Sequence, residues 1–176
     1  MLARSTKNAP VSGTLQNMDV DLHVKLVTVS DGVIAGTRQD TSGDTVATLL
    51  EDLGWSVDER RQIPDGVESV RDCLIELAEG FNGLIVTTGG TGFGPRDLTP
   101  EGTRESLERE APGIAEAMRL VNPNGLGRLS RAVAGTRGKA LILNTPGSTK
   151  GACETLEAVI DVAPHAIELL AGRQPH

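Results

Sequence analysis

Three short runs of aliphatic and β-branched residues constrain this chain more than any other feature. They are Leu22-His23-Val24-Lys25-Leu26-Val27-Thr28-Val29, Leu84-Ile85-Val86-Thr87-Thr88 and Ala140-Leu141-Ile142-Leu143-Asn144. The runs are nearly continuous in apolar character, the mark of strands covered on both faces, as in a parallel sheet. Helical periodicities separate them. Val46, Leu49, Leu50 and Leu53 recur at i, i+3, i+4 and i+7, with Asp44 as the expected cap and Gly54 as the left-handed terminator. Residues 56–62 predict a weaker, edge-like strand closed by Ile63-Pro64-Asp65-Gly66, and Val67, Val70, Leu74 and Leu77 predict a second helix. A third helix is expected where Thr99 caps, Pro100 opens the first turn and Glu101 follows. A fourth covers residues 112–121, and Pro164 interrupts or bends a C-terminal helix.

Strands alternating with helices predict an α/β fold with a mainly parallel sheet between two helical layers. We expect one domain over residues 21–173, after a flexible leader over residues 1–20 rich in Ser, Thr, Asn, Pro and Gly. In such sheets the site lies beyond the carboxyl ends of the strands. The informative loops are therefore Ser30-Asp31, Ile63 to Gly66, Gly89 to Thr99, and Asn144 to Ser148.

Composition narrows the function. Lys and Arg number 17 against 24 Asp and Glu, a net charge of −7, so no global basic field attracts a polyanion. The only aromatic residues are Trp55, Phe81 and Phe93, too few to stack single-stranded bases. No apolar run reaches the roughly 18 residues of a membrane span, and the N-terminus lacks a signal-peptide core. The chain reads as cytoplasmic, without a membrane or nucleic-acid partner. Cys73 and Cys153 stand among apolar residues with no metal-site spacing and read as small core residues.

The strongest chemical signal is Thr87-Thr88-Gly89-Gly90-Thr91-Gly92-Phe93-Gly94-Pro95-Arg96-Asp97. Clustered glycines after a buried strand permit positive φ and expose consecutive N–H groups, a concavity suited to phosphate. The same glycines would also serve a tight strand-to-helix crossover. The spacing matches neither a P-loop nor G-x-G-x-x-G. Asp97, and Asp65 on a neighbouring loop, supply carboxylates that would repel phosphate unless a divalent cation lies between, as in metal-assisted phosphoryl transfer. Taken singly, each is equally an ordinary turn residue. Ser130 has no triad partner, since His23, His165 and His176 fall on the first strand, the last helix and the terminus. It is an oxyanion donor or a helix cap. Arg96, Arg131 and Lys150 are cations that either meet anionic oxygens or stay solvated.

Together, Thr87 to Gly92, Pro95-Arg96-Asp97-x-Thr99-Pro100-Glu101, Leu129-Ser130-Arg131, Pro146-Gly147-Ser148 and Ser30-Asp31 resemble the Mog/MoaB family of molybdenum-cofactor biosynthesis, over about residues 22–172. The resemblance implies a three-layer, MogA-like molybdopterin-binding fold. It also implies an adenylyltransferase that joins AMP from Mg-ATP to the terminal phosphate of molybdopterin and releases pyrophosphate. Asp65 and Asp97 match the family's two essential aspartates, which serve Mg²⁺ and the transfer, and Ser130 matches a serine of its reaction centre. By the same resemblance Ser30, Asp31, Thr88, Gly89, Gly90, Thr91, Gly92, Arg131, Asn144, Pro146, Gly147 and Ser148 line or border the nucleotide and pterin pocket. A homotrimer and a downstream molybdate-inserting enzyme as partner are also implied. Some MoaB-type members lack adenylyl transfer and are altered at the position of Asp65; this chain keeps Asp65 beside a MoaB-like tail. Two rival readings remain, a non-catalytic pterin carrier and a nucleotide-binding module of another pathway.

Overall fold

The computed structural model describes residues 21–121 and 124–173, so the expected leader lies outside the described residues. Six strands form one sheet in the order β2 (Ser56–Ile63), β1 (His23–Val29), β3 (Asn82–Thr88), β6 (Lys139–Thr145), β5 (Ala134–Arg137) and β4 (Arg109–Glu110). The first four are parallel, while β5 and β4 complete the far edge antiparallel. The three continuous apolar runs are the three inner parallel strands. Their register brings the carboxyl ends level: Val29 lies beside Ile63, Thr28 beside Thr88, and Thr88 beside Thr145.

Both faces are covered because alternate side chains find different partners. Val24, Leu26, Leu84, Val86, Leu141 and Leu143 pack with α2 (Thr41–Asp52), α5 (Pro112–Leu120), α6 (Thr149–Glu157) and α7 (Ala163–Leu170). On the other face Val27, Val29, Ile85 and Ile142 meet α3 (Val67–Ala78), against which α4 (Thr99–Ser106) rests. The result is the expected three-layer α/β/α arrangement. Cys73 is buried in the second cluster and Cys153 is half-buried; both are free thiols.

Several expectations need correction. Asp40, not Asp44, caps α2: its Oδ1 accepts from Gly43 N–H at 2.9 Å, whereas Asp44 in the first turn accepts from Arg60 at 2.7 Å. Gly54 does take positive φ, +86°, behind that helix. Thr99 is the first residue of α4 rather than its cap, and its buried hydroxyl has no hydrogen-bond partner among the described residues. Of the two alternatives at Pro164 the interruption holds: it stands in the first turn of a separate helix, α7, after α6 has ended at Glu157. Strands β4 and β5, two and four residues long, are too short to show a period, and so is α1 (Asp31–Ile34).

Asn144, expected in the pocket, is completely buried and does not reach it. Its amide NH₂ donates to the hydroxyls of Thr87 (3.0 Å) and Thr103 (2.9 Å), and its carbonyl accepts from Val133 N–H (3.2 Å). It ties β3, α4 and the segment leading into β5 to β6. Asn144→Ala would strand those three groups without partners, each costing of the order of 1 kcal/mol or more. We expect a loss of about 3 kcal/mol in urea unfolding; a change below about 1 kcal/mol would show the clamp to be dispensable.

Candidate active site

The loops leaving β1, β2, β3 and β6 border a cleft of ≈ 770 Å³. Its floor is the glycine loop, and two of its glycines are required by geometry. Gly89 has φ +100°, and a Cβ there would lie 2.4 Å from the carbonyl oxygen of Val29. Gly90 has φ +64°, and its Cβ would lie 2.3 Å from Thr99 Oγ1 and 3.2 Å from Asp65 Oδ1. The chain therefore turns flat against the end of β1 with its backbone turned to the cleft. The Pro146-Gly147-Ser148 turn crosses just above, a Cβ on Gly147 falling 3.2 Å from Gly89 Cα. Helix α6 begins there, bringing the positive end of its dipole to the cleft.

Asp65 and Asp97 both line this cleft, as expected from their loops. Asp97 Oδ2 accepts from Gly94 N–H at 2.7 Å, a turn that closes the glycine loop on itself. Asp65 Oδ2 accepts from Asp31 N–H at 2.8 Å, and Asp65 N–H donates back to Asp31 Oδ1 at 3.0 Å. Each cleft carboxylate is thus held through Oδ2, with Oδ1 available to a ligand. Asp31 also receives Arg96, Nε to Oδ2 at 3.0 Å and Nη2 to Oδ1 at 3.3 Å. That guanidinium holds the Asp31 carboxyl below the usual carboxylate range. With its pKa depressed in the folded protein, the pair's contribution is present at neutral pH and is lost as pH falls through that lowered value.

Ser30, Thr88, Gly89, Gly90, Thr91, Gly92, Ser130, Pro146, Gly147 and Ser148 all reach the cleft. Ser30 also caps α1, its Oγ accepting from Val33 N–H at 3.3 Å. Ser130 follows a 3-10 turn (Leu126–Leu129), and its Oγ accepts from Ala132 N–H at 3.3 Å, a turn contact that leaves the hydroxyl proton unspent. No described histidine lines the cleft, and His23 pairs with Asp58 at 2.9 Å. Three expected residues stand outside the lining. Asn144 is the buried clamp. Asp31 lies behind Asp65. Arg131 is a strut: it donates to the carbonyls of Gly92 (2.7 Å) and Asp97 and to the carboxylate of Glu101, so its guanidinium is spent on the glycine loop. Of the three candidate cations only Lys150 lines the cleft, its side chain 84 % exposed.

Sequence reasoning missed one wall. Thr28 Oγ1 donates to Asp40 Oδ2 at 2.7 Å, and a Cβ on Gly43 would lie 2.5 Å from that oxygen. This knot sets the start of α2, from which Arg38, Gln39, Thr41 and Ser42 reach the cleft. The signal was present as Asp40-x-x-Gly43. The opposite wall, Met118, Val121, Leu126 and Leu129, is apolar, and helical periodicity alone presents such residues as ordinary packing.

Residues 25–165 match the family model described as a probable molybdopterin binding domain. The chain belongs to that family. All four cleft loops fall inside the matched segment. Among family relatives, the molybdopterin adenylyltransferase of Escherichia coli K12 is 36 % identical over 173 residues, 86 % of this chain and 86 % of that protein. That of Helicobacter pylori J99 is 34 % identical over 158 residues, covering 86 % and 89 %. The crystal structure of the molybdopterin biosynthesis enzyme MoaB from Thermus thermophilus superimposes with a TM-score of 0.81 at 47 % identity, covering 86 % of this chain and 98 % of that one.

Gly90 offers a test of the loop. Gly90→Ala combines a left-handed φ with a Cβ against Thr99, and should lower stability by about 2 kcal/mol or more in urea unfolding. An unchanged midpoint would show that the loop can relax away from Thr99.

Proposed function

We propose that this protein is the molybdopterin adenylyltransferase of a molybdenum-cofactor pathway, transferring AMP from ATP to the terminal phosphate of molybdopterin with release of pyrophosphate. The observation that carries the reading is the placement of Asp65 and Asp97, from two different loops, on one cleft floored by a glycine backbone. The curated relatives named for this activity span nearly the whole described chain, which supports the same reaction class.

The chemistry follows from charge. An oxygen of the pterin phosphate forms a bond to the α-phosphorus, the bridge to the β-phosphate breaks, and its electron pair leaves with pyrophosphate. Two anionic groups must meet, so their repulsion dominates the barrier. Gly89 N–H is held by the Thr145 carbonyl at 3.1 Å, and the positive φ values of Gly89 and Gly90 turn the following backbone toward the cleft, where the N–H groups of residues 90–92 can receive phosphate oxygens. Lys150, paired with Glu154 at 3.7 Å, adds an exposed positive charge on the cleft, and Ser130 retains a hydroxyl proton for an oxyanion. The apolar wall suits a flat heterocycle and helps exclude water.

The donor set fits Mg²⁺. Asp65 and Asp97 each keep one carboxylate oxygen untied, and no group of three or more His, Cys, Asp or Glu among the described residues forms a closed cage. Mg²⁺ uses one or two carboxylates and takes its other ligands from phosphate and water. When bound it supplies neutralisation of phosphate charge. No described helix is long and apolar enough to cross a membrane; the reading places the reaction in the cytoplasm. The same reading takes residues 21–173 as one catalytic unit, assembled as a homotrimer and handing its product to a molybdate-inserting enzyme.

Incubation with molybdopterin, ATP and Mg²⁺ should yield pyrophosphate and an adenylylated pterin by mass spectrometry, with EDTA abolishing both. Asp97→Asn should cut turnover by at least about 100-fold while the thermal midpoint stays within a few degrees. Pterin bound without product in the presence of metal would overturn the enzyme reading in favour of a carrier.

A further inference from the structure

Asp31 and Arg96 do nothing in the reaction described so far, yet they form the densest polar knot beside it. Three loops meet there. Asp31 follows β1, Asp65 follows β2, and Arg96 stands in the loop after β3. The Asp31 and Asp65 backbones exchange hydrogen bonds with each other's carboxylates at 2.8 and 3.0 Å. Arg96 grips both oxygens of Asp31 and donates through Nη2 to the carbonyl of Asp65. Asp65 is thereby held at its amide, its carbonyl and one carboxylate oxygen, and only Oδ1 is left to turn toward Gly90 and the cleft.

We propose that Asp31 and Arg96 are positioning residues for Asp65, which fix its Oδ1 toward the metal and phosphate region of the cleft. The inference rests on the adenylyltransferase reading for its substrates, but its geometry is independent of them. Arg96 sits one residue before Asp97, so the latch also ties the segment carrying the second carboxylate to the loop carrying the first. A cation held by two aspartates on separate loops needs their separation fixed before it binds; otherwise part of its binding free energy goes into ordering them. The arrangement explains why an aspartate with half its side chain in solvent is paired bidentately with arginine. An isolated surface pair of that kind contributes little to stability.

A purely structural role for the latch predicts lost stability and unchanged metal affinity, whereas a positioning role predicts the reverse. Asp31→Ala removes the acceptor for Asp65 N–H and the anchor for Arg96. Asp31→Asn keeps a carbonyl oxygen for Asp65 N–H and loses the charge. The probe is Mn²⁺ with the α,β-methylene analogue of ATP, followed by electron paramagnetic resonance on the full-length protein, alongside turnover at varied Mg²⁺. We expect Asp31→Ala to weaken Mn²⁺ binding about 10-fold and to raise the Mg²⁺ requirement by a similar factor, with the KM for molybdopterin and the thermal midpoint little changed. Asp31→Asn should recover most of that loss. Arg96→Ala should behave like Asp31→Ala, and the double variant should be no worse than either, since both act through one residue. Wild-type Mn²⁺ affinity in Asp31→Ala, or losses that add in the double variant, would overturn the positioning role. Failure of the wild-type protein to form adenylylated pterin while the Mn²⁺ differences persist would sink the adenylyltransferase reading and leave the latch standing.

Discussion

The close approach of two strand ends governs this molecule. β3 leaves the sheet so near to β1 that the Val29 carbonyl occupies the space a Cβ on residue 89 would need. Only glycine allows that turn, and the turn presents backbone rather than side chains to the cleft. The level register of β1, β2, β3 and β6 then brings the other three loops around it. The cleft sits where β1 and β3 lie side by side and their onward connections diverge, from β1 to β2 on one side and from β3 to β4 at the far edge, the place where parallel sheets open a crevice.

Charge is managed by the same scaffold. A site for polyanions that carries two carboxylates invites repulsion, and here each carboxylate has one oxygen taken up by a backbone N–H. Two arginines beside the site are engaged by protein rather than left for ligand: Arg96 by Asp31, and Arg131 by Glu101 and the glycine-loop carbonyls. The scaffold thus holds the loop and the acids in place, leaving Arg38, Lys150, the N–H groups of residues 90–92 and the untied carboxylate oxygens for chemistry. Preorganisation of this kind is what transfer between phosphates requires.

Much of this is legible in the residues. The inner strands are visible because strands buried on both faces must be continuously apolar, and the four cleft loops follow from where those runs stop. Asp65, Asp97 and Ser130 stand out by chemical type and loop position, and they do share a cleft. What escapes depends on contacts distant in sequence. Asn144 resembles a pocket residue because it closes a strand beside the cleft, yet its partners Thr87, Thr103 and Val133 bury it. Arg131 resembles an anion ligand because no local pattern reveals Glu101, thirty residues earlier, as its partner. Asp44 passes for the cap of α2 in place of Asp40 because apolar periodicity begins only at Val46, one turn inside the helix. The β4 and β5 edge is set by pairing with β6 rather than by any period of its own.

The central claim is that Asp65 and Asp97 act jointly on one phosphate-bound cation above the glycine loop. The most direct measurement is a crystal structure with Mn²⁺ and the α,β-methylene ATP analogue, using the anomalous signal to place the metal. We predict a single peak within coordination distance of Oδ1 of both aspartates, with the analogue's α-phosphate on the N–H groups of residues 90–92. A metal bound elsewhere in the cleft, or a nucleotide seated away from the glycine loop, would contradict the account.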